Sequence, residues 1–282
     1  MKNDCHVALA KAVNLCISQI FSNQLAIRSN FSNCDKYIHK LRVAIRKLST
    51  TLKFLKFYAI ELSPTSNIEL DALFHNLGLL RDRSNLIKML DKTIDGKKIL
   101  PHLSAEMTAP NLKQILNKTN TYSLNLALKD MSAGIKNQIF VSSINQKTMA
   151  KIDGQTNNLI NKNYRLARKM FLKEDNLSET SMHAIRKKLK FVKYSLEHFQ
   201  YFYGSNNDQK FYKLLAKSLD NLGSYMDKSI ALKIIKDLDL VDPSVKKVLN
   251  NIRVGRVKAK KISILTLDKL FLLKLPTSSL IV

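Results

Sequence analysis

Glycine and proline are scarce in this chain, at 7 and 5 of 282 residues. Both interrupt helices, so little in the sequence would end one. Alternating strand patterns are nearly absent, and apolar residues recur at helical spacing instead, which predicts an all-α fold. Cysteine is sparse too: Cys5, Cys16 and Cys34 all fall near the start. That number and spacing exclude a disulfide framework or a paired zinc site and fit thiols in a reducing compartment. His6, His75, His102 and His198 form no metal-ligating pattern with Cys, Asp or Glu. Glutamates are few and scattered, which excludes a pair placed for two-metal phosphoryl chemistry. No glycine-rich phosphate loop is present. Long apolar runs are missing as well. The most apolar stretch, Ile262 to Leu275, carries Asp268, Lys269 and Lys274, so it reads as a last core helix and not a bilayer span. Near the N-terminus, Lys11 interrupts the short apolar run Val7 to Ala10, which argues against a signal peptide. The expected location is cytoplasmic.

What the chain has in excess is positive charge. Lys and Arg number 47 against 22 Asp and Glu, a formal charge of +25 and a pI near 9.9. Self-repulsion on that scale calls for a polyanionic partner: nucleic acid, an anionic membrane surface or inorganic polyphosphate. The apolar fraction of 45% is enough to bury a core in one large domain or two modest ones.

Periodicity predicts helices over 5–29, 33–62, 66–92, 110–140, 146–174, 178–203, 208–238 and 243–273. Capping signals at Ser32, Ser66 and Ser178, and Asp242 before Pro243, support the starts. Residues 93–109, with Gly96 and Pro101, read as a connection holding one short helical turn.

One motif occurs twice, 144 positions apart. A histidine is followed three and seven residues later by bases: His39, Arg42 and Arg46, then His183, Arg186 and Lys190. At about 100° per residue these positions share one stripe, with Lys53 continuing the first and Lys193 and Tyr194 the second. Leu41, Ile45, Leu48, Leu52 and Leu55 occupy the opposite side of the first helix. Ile185, Leu189, Val192, Leu196 and Phe199 do so on the second. One face therefore anchors each helix and the other presents fixed cations. Leu77-Gly78 with Asp82 returns as Leu222-Gly223 with Asp227. The repeat predicts two half-chains of four helices, 1–141 and 158–282, joined through 142–157 and related by a pseudo-two-fold axis that brings the cationic stripes together.

At these residues the sequence resembles the CHAD domain (conserved histidine α-helical domain). The pattern His-x-x-Arg-x-x-x-Arg followed by Leu-Gly-x-x-x-Asp occurs in both halves, and the resemblance covers essentially the whole chain. His183, Arg186, Lys190, Lys193, Tyr194 and Glu197 sit where the family typically has His, Arg, Lys, Arg, Tyr and Glu. Ser49 and Phe191 stand where it often has bases. The resemblance implies a single domain over 1–282, made of two four-helix bundles around a basic central cavity, and binding of inorganic polyphosphate.

Polyphosphate offers about one negative charge per internal phosphate and no base edges. It is held only by convergent cations and donors, Arg by a two-toothed fork and Lys as a point charge. Histidine donates from a ring nitrogen and gains charge as pH falls. The expected inner shell is His39, Arg42, Arg46, Lys53, His183, Arg186, Lys190 and Lys193. Arg28, Arg81, Lys162, Arg165, Lys169 and Tyr194 are secondary candidates, and Asp82 and Asp227 are read as orienting neighbouring bases. The run Arg253, Arg256, Lys258, Lys260 and Lys261 reads as surface charge or as an extension of the ligand path. No catalysis, cofactor or metal is expected. The alternatives are non-specific nucleic-acid binding, which the charge alone supports, and a polyphosphate or triphosphate hydrolase. If the protein binds polyphosphate, association with polyphosphate granules follows.

Overall fold

Ile38, Leu41, Ile45 and Leu48 are all buried, as their three- and four-residue spacing requires of one side of a helix. The same logic builds the rest of the molecule. The computed structural model describes residues 5–29, 34–104, 121–141, 146–199, 208–238 and 243–276. They form α1 (Cys5–Ser29), α2 (Asp35–Leu55) with a 3-10 turn at Lys56–Tyr58, α3 (Pro64–Leu90), α4 (Ile94–Ser104), α5 (Thr121–Val141), α6 (Gln146–Lys173), α7 (Glu179–His198), α8 (Gln209–Asp237) and α9 (Pro243–Phe271). No strand occurs among the described residues. None of these helices is long and apolar enough to cross a membrane.

Several boundaries differ from expectation, each for a local reason. The second helix stops at Leu55 and not near residue 62. Ala59 adopts a left-handed φ of 57°, its N–H returns to the Lys56 carbonyl and that of Ile60 to Leu55, a Schellman closure made without glycine. The third helix starts earlier than the Ser66 signal. Ser63 is the cap, its hydroxyl accepting from the Ser66 N–H at 3.1 Å, with Pro64 next. Ser178 caps α7 as expected, accepting from Ser181 N–H at 3.0 Å. The Ser32 and Asp242 signals, and the helical turns expected at 110–120 and 200–203, lie outside the described residues.

The stretch 93–109 holds a true helix, α4, despite Gly96 and Pro101. Buried Ile99 drives it, packing with Leu86 and Leu90 of α3, Ile235 of α8 and Val245 of α9 in a small core of its own. The first half therefore has five described helices where four were expected. Of the expected connection 142–157, residues 146–157 are the opening turns of α6.

The two halves repeat one pattern of neighbours: α1 packs on α2 and α2 on α3, as α6 packs on α7 and α7 on α8. The halves meet where α2 touches α7 and α3 touches α8. The main core runs through both, from Leu9 and Leu48 to Leu189 and Phe271. At the seam Phe54 of α2 stacks on Phe191 of α7, ring centroids 5.6 Å apart.

Candidate anion-binding site

His39 is the fifth residue of α2 and His183 the fifth of α7. Each helix sinks its leucines and isoleucines into the core, which aims the histidine and the bases that follow at α3, at α8 and at each other. Burial is what fixes the direction of these cations.

Arg42 is the best anchored. Its Nη1 donates to the Phe74 carbonyl at 2.6 Å, and its guanidinium lies 4.3 Å from the centre of the Phe74 ring. Arg46 covers the same ring at 4.8 Å. The close approach to α3 depends on Gly78, where a Cβ would come within 2.6 Å of Arg42 Nη1. Arg186 repeats the arrangement on α8, with a Cβ at Gly223 falling 3.3 Å from its Nη2. The duplicated Leu-Gly-x-x-x-Asp segment thus lets an arginine lie flat on the neighbouring helix.

The cations of the two halves act on one another. Burial first, then Arg186, Arg46 and Arg42, bring the Lys190 ammonium down to about 6, against a weaker pull from Asp227. Arg42 falls to about 10, through burial first and then Arg46, Arg81 and Arg186, while Asp82 opposes. Burial and then Arg46 lower Arg186, opposed by Asp227, Tyr194 and Asp82. Both histidines are lowered, again by burial first. Arg81, Lys190, Arg42 and Arg46 act on His39; Lys187, Arg186, Arg46 and Lys190 act on His183. Asp82 is raised by burial and by Asp227, against the pull of Arg42, Arg81 and Arg186. The Arg186 Nε–H is buried and has no hydrogen-bond partner. Positive charge from three helices, α2, α3 and α7, is therefore concentrated here beyond what Asp82 and Asp227 neutralise.

Not every expected residue joins this cluster. His39, Arg42, Arg46, His183, Arg186, Lys190 and Arg81 come together. Lys53 lies further along the α2/α7 seam, its ammonium 5.1 Å from the Phe191 ring, and burial and then Lys188 lower its pKa. Lys193 pairs at 3.7 Å with Glu197, which also takes Lys47 at 2.7 Å. Tyr194 is buried at the cluster's edge, close enough to act on Arg186, with the Lys47 ammonium 5.8 Å from its ring centre. Arg28 is exposed in the last turn of α1. Lys162, Arg165 and Lys169 are exposed on α6 and line a shallow hollow of about 310 Å³ built from that helix alone. Phe74, the platform under two arginines, went unseen in the sequence. It lies one turn before Gly78, but Leu219 holds the matching place before Gly223 and no repeat drew attention to it. Among the described residues no three His, Cys, Asp or Glu side chains are grouped to hold a metal ion. Cys16 is free and buried, and burial pushes its thiol up to about 12.

Fold and site together define an all-helical, internally repeated protein whose two histidine helices face one cationic cluster. The CHAD domain model matches residues 11–236, and the chain belongs to that family. Its fold is similar to the crystal structure of the CHAD domain from the plant Ricinus communis, with a TM-score of 0.71 at 17% identity, covering 99% of this chain and 96% of that one. It is also similar to PptA from Streptomyces chartreusis, with a TM-score of 0.57 at 12% identity, covering 94% of this chain and 100% of that one. At such identities the likeness concerns the fold alone. No curated protein matches the chain.

Proposed function

We propose that the cluster between α2 and α7 binds inorganic polyphosphate, without turning it over. One observation carries this reading: burial, and then Arg186, Arg46 and Arg42 drawn from both halves, lower the pKa of Lys190, and the buried Arg186 Nε–H lacks an acceptor. A thin chain of phosphates supplies what is missing, with many acceptor oxygens, dense negative charge and no bulk. Arginine forks bind two phosphate oxygens each, and the preset helices spare the ligand the cost of ordering them. Duplex nucleic acid is the competing reading, supported by the charge of +25. It suits a broad basic face better than partly buried cations set between helices.

Calorimetric titration with polyphosphate of defined length, beside duplex DNA at equal charge, tests the proposal. Polyphosphate should bind more tightly. Replacing Arg42→Glu and Arg186→Glu together should weaken it by about 3 kcal/mol, roughly a hundredfold, since each change removes a charge-assisted contact and adds repulsion. The apolar faces are untouched, so circular dichroism should report retained helix. Undiminished affinity in the folded double variant would place the ligand elsewhere.

A further inference from the structure

A second cationic hollow, of about 630 Å³, opens between α8 and α9 at the start of α7. It lies on another side of α8 from the cluster, for Tyr225 and Ser229 stand about 200° around that helix from Asp227. Lys233 and Lys236 reach it from α8, and Arg253, Arg256 and Lys260 from α9. Among the described residues, Glu179 is the only carboxylate lining it.

Arg256 is held in place on three sides. Its Nη2 lies 2.7 Å from Glu179 Oε2 and 3.1 Å from the Tyr225 hydroxyl, and its guanidinium is 5.2 Å from the Tyr225 ring centre. Its Nε–H is nonetheless buried without an acceptor. Ser229 is 8% exposed and lines the same hollow, and its hydroxyl also has no partner. Two buried polar groups are left unpaired at the floor of a site whose rim is cationic, where each costs stability unless something answers it. The volume is that of a small-molecule site.

We infer that this hollow is a second anion site, distinct from the α2/α7 cluster, which takes a compact triphosphate group. A phosphate oxygen accepts from Arg256 Nε–H and Ser229 Oγ–H, and the outer phosphates meet Lys233, Lys236 and Arg253. Glu179 stands in for the ligand: its carboxylate occupies one face of Arg256 until a phosphate displaces it. The triphosphate group is shared by two sources, a nucleoside triphosphate and a short inorganic chain. Leu232 and Val257 add apolar wall that only the nucleoside would use.

The test titrates ATP and tripolyphosphate separately, by calorimetry at near-physiological salt, into the chain carrying Arg42→Glu and Arg186→Glu. One saturable site should remain. Glu179→Gln should tighten it several-fold by removing the competing charge. Lys236→Glu with Arg253→Glu, both at exposed positions, should weaken it more than about tenfold. Tighter binding of ATP assigns the site to nucleotides, and equal binding assigns it to the phosphate group itself. If the Arg42/Arg186 background does not fold, the Lys236/Arg253 pair in the unmodified chain should weaken one of two sites and Glu179→Gln should tighten that same one. Binding that ignores both Glu179→Gln and the Lys236/Arg253 pair, or that never saturates, overturns the inference. The α2/α7 reading fails by a different result, namely indifference of polyphosphate binding to Arg42 and Arg186.

Discussion

Gly78 lies against the guanidinium of Arg42 with no room for a side chain between them, since a Cβ would sit 2.6 Å from Nη1. Gly78 is helical and buried, so alanine there should otherwise gain up to about 1 kcal/mol of helix propensity. The obstacle is the tip of a flexible side chain, which can yield by giving up its 2.6 Å bond to the Phe74 carbonyl. Gly78→Ala should therefore stay within about 1 kcal/mol of the parent in chemical denaturation. It should bind polyphosphate about tenfold more weakly because Arg42 is displaced. At Gly223 the clearance to Arg186 is 3.3 Å, and a shift of a few tenths relieves it. Gly223→Ala should gain stability and keep its affinity. Equal binding by Gly78→Ala and the parent would show that the ligand does not read the position of Arg42.

Lys190 predicts opposite pH trends for stability and binding. Its folded pKa, about 6, lies below the unfolded value of about 10.4, so the unfolded chain binds more protons between the two. Stability of the ligand-free protein should therefore rise with pH through that window, and the contribution should be flat below it. A bound polyanion favours the charged ammonium, so affinity should rise as pH falls from about 8 to 6, with proton uptake on binding. His39 and His183, both lowered from their usual value, add to the same trend in its more acid part. Proton uptake is measured by calorimetry in buffers of different ionisation enthalpy. Lys190→Met should abolish most of it above pH 7, and His39→Gln with His183→Gln should flatten only the acid portion. Uptake unchanged in Lys190→Met would remove that lysine from the site.

Salt separates a chain of fixed cations from a single contact. If Arg42, Arg46, Arg81, Arg186 and Lys190 each displace one counterion, log affinity should fall nearly linearly with log salt. The slope should be about −3.5, taking roughly 0.7 per charge as for single-stranded nucleic acid. Lys53→Gln should leave that slope unchanged, since its ammonium lies over Phe191 and beside Lys188, away from the cluster. A slope reduced by Lys53→Gln would extend the ligand path along the α2/α7 seam.

His198 should make the fold acid-sensitive. Its Nε2 lies 3.1 Å from Thr51 Oγ1 at the end of α7, and burial first, then Lys47, lower its pKa to about 4. Hydrogen bonding to the Lys47 backbone and the charge of Glu197 oppose that shift without reversing it. The unfolded histidine titrates near 6.5, so stability should be lost as pH falls from there toward 4. His198→Gln should show a shallower loss than the parent over that interval in denaturant titrations. Parallel curves for the two proteins would mean that carboxylates elsewhere cause the acid response.

Much of the site was readable before any tertiary structure. The stripes on α2 and α7 and the repeated Gly-Asp segments named Arg42, Arg46, Arg186, Lys190 and both histidines, because helical period sets the direction of each side chain about its own axis. It does not set distance to another helix. Lys53 and Lys193 lie on the same stripes as the cluster and still fall outside it, one over Phe191 and the other on Glu197. Arg81, a weaker candidate by sequence, joins because α3 crosses α2 where His39 and Arg42 stand.

By itself, the sequence determined an all-helical chain, an internal repeat, the buried face of each histidine helix and a large positive charge. These follow from local propensity, period and composition, which neighbouring residues settle among themselves. Only the tertiary structure decided that Ile99 would hold α4 together across Gly96 and Pro101, and that α2 would end at a left-handed Ala59. It alone also buried Lys190 and brought it close enough to three arginines from both halves to lose its usual basicity. Desolvation and electrostatic field are sums over groups that the chain brings together from far apart, so no stretch of sequence contains them.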